Sequence, residues 1–281
     1  MKKIFIAILV GALALSSVFA GGSSQGSGSS AAASYTIEVG GSTSVTPLME
    51  LFQAEYAQLH PNVTITVSGT GSGDGITGSA NGTYDIGMSS RELRPAEIGQ
   101  GLEPTVVAID GIALIMNNSS PIRNLSMEQV RDIYTGAITR WEQLGAAAGG
   151  KTGGIAVISR EPGSGTRGAF QEILNFTDAN LAANAVILDG TGAIRSAVAG
   201  NPDAIGYISS GSVNDSVRAL NIDGAAPTEA NLRNGSYRIS RPFILITRRG
   251  VSPTPAAQAF LDWTMGSQGQ AIVARNWVSV N

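Results

Sequence analysis

From Tyr35 onward the chain alternates two kinds of apolar pattern. Tyr35 to Val39, Val63 to Val67 and Tyr84 to Met88 are short runs rich in β-branched and aromatic residues. Each is closed by small residues, and each predicts a strand. Between the first two, Leu48, Leu51, Phe52, Ala54 and Tyr56 suit one face of a helix over Val45 to Leu59, with Thr43 or Ser44 as N-cap and Pro47 in the first turn. Strands alternating with helices predict a parallel α/β architecture. Two longer extended segments stand apart: Val106 to Asn117, nearly all apolar around Asp110-Gly111, and Arg238 to Arg248, which contains Arg241-Pro242. One lies mid-chain and one near the end, so they suit a chain that crosses from one lobe to another and returns. The expected lobes are 35–111 plus 249–281, and 112–248. No internal repeat is visible.

The first residues follow a different rule. Lys2 and Lys3 precede an apolar run from Ile4 to Leu15, too short to span a bilayer comfortably, and Val18-Phe19-Ala20 supplies a small-residue cleavage site. A signal peptide over 1–20 is expected, with a buried N-terminal helix as the alternative. A Gly/Ser/Ala linker without charge follows over 21–34. Export to the periplasm or cell surface is expected. Gly21 stands where a lipobox would carry cysteine, so the mature chain is expected to be soluble rather than tethered.

Composition narrows the chemistry. The absence of cysteine excludes disulfides, thiol catalysis and thiolate metal sites. The lone histidine, His60, precedes Pro61 and is expected in a solvated turn, so no metal site and no cofactor are expected. With 18 Lys and Arg against 21 Asp and Glu, the formal charge is −3, and no basic run suits nucleic acid. An anion site in such a chain must work by local dipoles against the overall field.

Three clusters offer such dipoles: Gly41-Ser42-Thr43-Ser44, Gly71-Ser72-Gly73-Asp74-Gly75 and Gly163-Ser164-Gly165-Thr166-Arg167. Each follows a predicted strand and opens a predicted helix. The first turn of a helix has free N–H groups, glycines let backbone approach a ligand, and hydroxyls add donors. Taken singly, each cluster also reads as ordinary turn and cap chemistry. The third is preceded by Arg160, which together with Arg167 suits bidentate oxyanion contact. The plain alternative for Arg160 is ion pairing with Glu161 or Glu172.

GSTSVTPL, GSGDGI, DIGMSSR, IDGIALIMN, IYTGAITRWEQLG, SREPGSGTR and AIGYIS together resemble the PstS family, the substrate-binding proteins of phosphate ABC transporters among the periplasmic binding proteins. The resemblance covers nearly all of the chain beyond the leader. It implies a two-lobed, type II-like α/β fold, each lobe a central sheet flanked by helices. It also implies capture of inorganic phosphate, delivery to the permease subunits of an ABC transporter, and no enzymatic activity; a monomer is expected. The anion would be gripped by Thr43 and Ser44, by Ser72, and by Arg160, Ser164, Gly165 and Thr166. In one respect the chain departs from the pattern. Ser90 occupies the position of an aspartate that accepts the proton of monohydrogen phosphate and so excludes sulfate. Asp110 is expected to replace that acceptor, held by Arg91; its alternatives are an ion pair with Arg91 or a turn-capping role. Sulfate or another oxyanion therefore stays open as ligand, as does a sensor or adhesin role. An enzyme such as a phosphatase has only a weak GxGxxG string at Gly73 to Gly78 and a single histidine to support it. Tyr207 is expected to pack rather than to bind.

Overall fold

The computed structural model describes residues 34–251 and 253–281. The expected signal peptide, and the linker apart from Ser34, lie outside them. Strand β1 (Tyr35–Gly41) buries Ile37 and Val39. A turn follows in which the amides of Val45 and Thr46 donate to the Ser42 carbonyl. Helix α1 (Thr46–Leu59) therefore starts after Val45, which has no side-chain cap, although Pro47 sits in the first turn as expected. Thr43 and Ser44 are not caps: the added turn moves the helix start past them and leaves their hydroxyls for other partners.

β2 (Val63–Gly69), α2 (Ser72–Asn81) and β3 (Ile86–Ser89) complete a parallel unit in which β1 pairs with both β2 and β3. After the single-turn α3 (Pro95–Ile98) runs β4 (Leu102–Asn117). Then come β5 (Asn124–Leu125), α4 (Met127–Tyr134), β6 (Ala156–Arg160), α5 (Gly165–Ile173), β7 (Val186–Leu188), α6 (Gly190–Gly200), β8 (Ala204–Ser209), β9 (Val217–Ala219), β10 (Asn221–Ile222) and α7 (Glu229–Arg233). β11 (Ser240–Arg248), α8 (Pro255–Met265) and α9 (Ser267–Val273) end the chain.

Strand order along the sheet is β2-β1-β3-β11-β4-β8-β6-β7, with β9 also on β4. β4 is shared by two halves. Leu102 to Gly111 pairs antiparallel with β11, and Ile112 to Met116 pairs antiparallel with β8. β4 thus changes partner at Gly111/Ile112. β11 pairs along its whole length with the first half of β4 and also reaches β3. Residues 240–248 therefore lie with the first set of strands.

Two separate cores match the two halves. Ile37, Phe52, Tyr56, Phe260 and Trp277 belong to the first, where α8 and α9 return to pack near α1. Tyr134, Trp141, Phe170 and Tyr207 belong to the second, and Ile158, Ile194 and Val198 form a smaller cluster beneath α6. Each fully buried large apolar side chain contributes about 1.5–3 kcal/mol. Together they fix the strands firmly enough to hold polar loops between them. The parallel strands β1, β2, β3, β6 and β7 each end in a loop before the next helical or turn segment. The carboxyl ends of parallel strands are where α/β sheets place ligands.

Candidate functional site

The loops that follow β1 and β3, together with the starts of α2, α5 and α6, bring a set of hydroxyls into one buried cluster. Ser44 Oγ lies 2.8 Å from Thr166 Oγ1 and 3.3 Å from Thr191 Oγ1, and Thr43 Oγ1 lies 3.2 Å from Thr191 Oγ1. On the other side, Ser42 Oγ donates to Ser90 Oγ at 2.9 Å, Ser72 Oγ is 3.3 Å from Ser90 Oγ, and the Ser90 amide donates to Ser72 Oγ at 3.1 Å. Ser44, Ser72, Ser90 and Thr166 are all at most 1% exposed. Hydroxyls are rotors that donate once and accept twice. They satisfy one another here, and the same rotors can turn their protons toward an anion.

Arg160 ends β6 and is 1% exposed. Its Nε and Nη2 donate to the two carboxylate oxygens of Glu161 at 2.7 and 2.6 Å, so the anticipated ion pair forms, with Arg160 buried and Glu161 partly exposed. Nη2 also donates to Thr43 Oγ1 at 3.0 Å, and Nη1 lies 3.5 Å from both Thr166 Oγ1 and Thr191 Oγ1. Glu161 thus grips one edge of the guanidinium and aims the other at the hydroxyls. Burial works to raise the Glu161 carboxyl, but the hydrogen bonds and charge of Arg160, with the Gly190 amide, hold it below its ordinary range. Ser164 caps α5 by accepting the Arg167 amide at 3.2 Å. Gly165 meets the first half of the chain so closely that a Cβ there would fall 2.2 Å from Ser72 Oγ and 2.8 Å from Ser90 Oγ. The Gly73 amide donates to the Gly163 carbonyl at 3.0 Å beside it. A cleft of about 310 Å³, lined in part by Arg91, Gly163 and Arg167, and another of about 470 Å³, lined in part by Thr43, Glu161 and Gly190, flank the cluster.

Of the residues singled out from sequence, Thr43, Ser44, Ser72, Ser90, Arg160, Ser164, Gly165 and Thr166 come together. Asp110 and Arg91 do not join them. Asp110 is fully buried, and its partner is Arg241 rather than Arg91: Arg241 Nε and Nη2 donate to Asp110 Oδ2 at 3.2 and 3.0 Å, while Ser209 and Ser210 donate to Oδ1 at 2.7 and 3.2 Å. Burial pushes the Asp110 carboxyl up against the pull of Arg241 and the serines. Arg91 instead forks onto Glu97 at 2.7 and 2.8 Å. Among the described residues, no carboxylate oxygen hydrogen-bonds a hydroxyl of the cluster. Arg167 turns away to Asp178 and braces the Arg160 carbonyl. Tyr207 packs as expected, stacked on Phe170, and its hydroxyl meets Ser159 Oγ at 2.8 Å.

Sequence reasoning places Ser42 in the first cluster without a role of its own, and misses Thr191 and Arg241. Thr191 has a legible signal, because Gly190-Thr191-Gly192 repeats the strand, small-residue turn, helix design. It also passes over a GxxxxGK[ST] string at Gly145 to Thr152. That string begins inside a 3₁₀ segment (Trp141–Ala148), leads into β6 rather than a helix, and its Lys151 pairs with Asp203 over the Trp141 ring, so it forms no phosphate loop. His60 stacks on Tyr56 at the end of α1, apart from any serine of the cluster.

The PBP superfamily domain model matches residues 26–268. The phosphate-binding protein PstS of Bacillus subtilis is 30% identical over 74% of this chain and 68% of its own length. The crystal structure of a candidate phosphate ABC transporter substrate-binding protein with bound phosphate from Clostridium perfringens shares 42% identity, covers 88% of this chain and 100% of its own, and superposes with a TM-score of 0.84. An ABC-type phosphate transport receptor from Vibrio cholerae shares 32% identity over 86% of this chain and 99% of its own, with a TM-score of 0.71.

Proposed function

The chain belongs to the PstS family of phosphate-binding proteins within the PBP superfamily, and from that premise we infer that it captures inorganic phosphate between two lobes and delivers it to an ABC permease. The observation that carries this reading is the convergence of buried hydroxyls from both halves of the chain on the free edge of the Arg160 guanidinium. Thr43, Ser44, Ser72 and Ser90 serve as one wall of the site. Arg160, Ser164, Gly165 and Thr166 serve as the other. Closure would remove the anion from water, where each charge-assisted hydrogen bond is stronger.

We divide the lobes at Gly111/Ile112 and near Ile239/Ser240, following the pairing of β4 and β11. The chain acts as a binder rather than an enzyme, as an exported monomer. Among the described residues, no helix is long and apolar enough to cross a membrane.

Calorimetry on protein stripped of ligand by unfolding and refolding tests the reading directly. One phosphate should bind per chain; no heat with phosphate or any other tetrahedral oxyanion would overturn it. A second arm concerns selectivity. A hydroxyl at Ser90 can accept from a protonated phosphate oxygen or donate to sulfate, whereas a buried acceptor left unpaired by the wrong ligand imposes a penalty of about 10⁴–10⁵-fold. Sulfate is therefore expected to compete within about 10²-fold of phosphate. A measured ratio in the carboxylate range would show that some acidic group reaches the anion.

Gly165→Ala probes closure. The added methyl overlaps Ser72 Oγ and Ser90 Oγ unless the lobes part. The expected result is roughly ten-fold weaker phosphate binding, about 1.4 kcal/mol, at the low end of overpacking costs. The melting temperature without phosphate should change little. Undiminished affinity would mean that the two walls do not close this tightly around the ligand.

A further inference from the structure

Helix α6 opens beside the cluster yet carries no residue implied by the family resemblance. Its N-cap, Asp189, makes no side-chain cap, and Gly190, with φ of +80°, bends the chain so that its amide donates to Glu161 Oε2 at 3.2 Å. The same carboxylate oxygen takes Arg160 Nε at 2.7 Å. Glu161 therefore locks the start of α6 to the guanidinium that faces the hydroxyls. Ile194 and Val198 anchor the helix from below, both at 0% exposure. With both ends of this arrangement held, Thr191 is left 6% exposed, and its hydroxyl lies 3.2 Å from Thr43 Oγ1, 3.3 Å from Ser44 Oγ and 3.5 Å from Arg160 Nη1. Every polar neighbour of that hydroxyl is a group assigned to the anion.

We propose that Thr191 is a direct ligand of the captured oxyanion, a further arm that reaches the hydroxyls of Thr43 and Ser44 on the opposite wall. This rests on the capture reading above. When an anion takes the protons of Thr43 and Ser44, those hydroxyls no longer donate to Thr191, and the Thr191 hydroxyl, with one proton of its own, is within reach to donate to the same anion. Glu161 beside Arg160 then serves both: one carboxylate sets the position of two anion-facing groups. The hydroxyl, not the methyl, is the working part.

Thr191→Val and Thr191→Ser separate these roles. Titration of inorganic phosphate into each variant by calorimetry should show a roughly ten- to hundred-fold loss for valine, as befits one hydrogen bond to a charged group, and near-parental affinity for serine. The melting temperature without phosphate should be the same for the parent and the serine variant, and little changed for valine, which a merely structural contact would not allow. Parental affinity in the valine variant overturns the proposal. So does an equal loss in the valine and serine variants, because packing rather than the hydroxyl would then be responsible. If the parent itself binds no oxyanion, the capture reading fails and takes this arm with it; binding by the parent with indifference at position 191 removes the arm alone.

Discussion

Arg160→Met should weaken phosphate binding roughly a thousand-fold, about 4 kcal/mol. Among the described residues, the guanidinium supplies the one formal positive charge in direct contact with the hydroxyl cluster, and hydrogen bonds from a charged donor contribute about 1.5–3 kcal/mol each. Methionine conserves the stem and keeps the packing of β6, so the loss reports on charge and donors rather than on volume. It also strands Glu161, whose carboxylate then faces the anion at close range and repels it. Arg160→Lys is expected to recover only a small part. A point charge on a flexible stem cannot bind both oxygens of Glu161 and still present a second edge to the hydroxyls. The double variant Arg160→Met, Glu161→Gln should bind better than Arg160→Met alone if that repulsion contributes. Full affinity in Arg160→Met would remove Arg160 from the site.

The same pair has a pH signature. Glu161 titrates below its ordinary 4.5 in the native state, so its contribution to stability is present above that value and fades as pH falls through the lowered one. The Arg160 clamp should therefore stay intact from neutral down to about pH 5, with any change in phosphate affinity there following the ligand's own protonation, and melting temperature should begin to drop only below that.

Asp110→Asn carries the other large expectation, and it concerns the fold. Asp110 and Arg241 are 0% and 1% exposed at the side chain, and they join β4 to β11 next to the point where β4 changes partners. Ser209 and Ser210, at the end of β8 and just beyond it, donate to the same carboxylate, so it ties the two halves together. Removing one charge of a buried pair leaves the other uncompensated, at about 3–5 kcal/mol. For a chain of this size the melting temperature should fall by about 6–20 °C. Asp110→Asn, Arg241→Met should regain much of the loss, because neutralising both partners leaves no stranded charge. Selectivity should not move: both carboxylate oxygens are occupied, so the ratio of phosphate to sulfate affinity should match the parent. A shift in that ratio at unchanged melting temperature would restore Asp110 as the acceptor for the ligand's proton. Arg241 Nη1 also donates to the Ser90 carbonyl at 3.3 Å, so the overall affinity of Asp110→Asn is expected to fall modestly while the ratio stays.

Much of this arrangement is legible in the amino-acid order. Apolar periodicity marks β1, α1, β2 and the long β4, because burial on one face or both is written into neighbouring residues. The three small-residue clusters are visible for the same local reason: a strand end, a tight turn and a helix start need glycines and hydroxyls in a fixed order. An N-cap at Ser44 is expected and does not form, because the composition of a cap and of a ligand turn is the same, and only the turn at Ser42 decides between them.

The amino-acid order alone determined the α/β class and the resemblance to phosphate-binding proteins, and that resemblance pointed to the residues proposed to face the anion. The partners of buried charges were decided only in three dimensions. Asp110 meets Arg241 across 131 positions, and Thr43 meets Thr191 across 148. Nothing local distinguishes a carboxylate that will face an anion from one that will be consumed by an arginine on the neighbouring strand. A buried charge must be paired, but which partner is near is set by strand order and register, and β11 beside β4 settles it for Asp110.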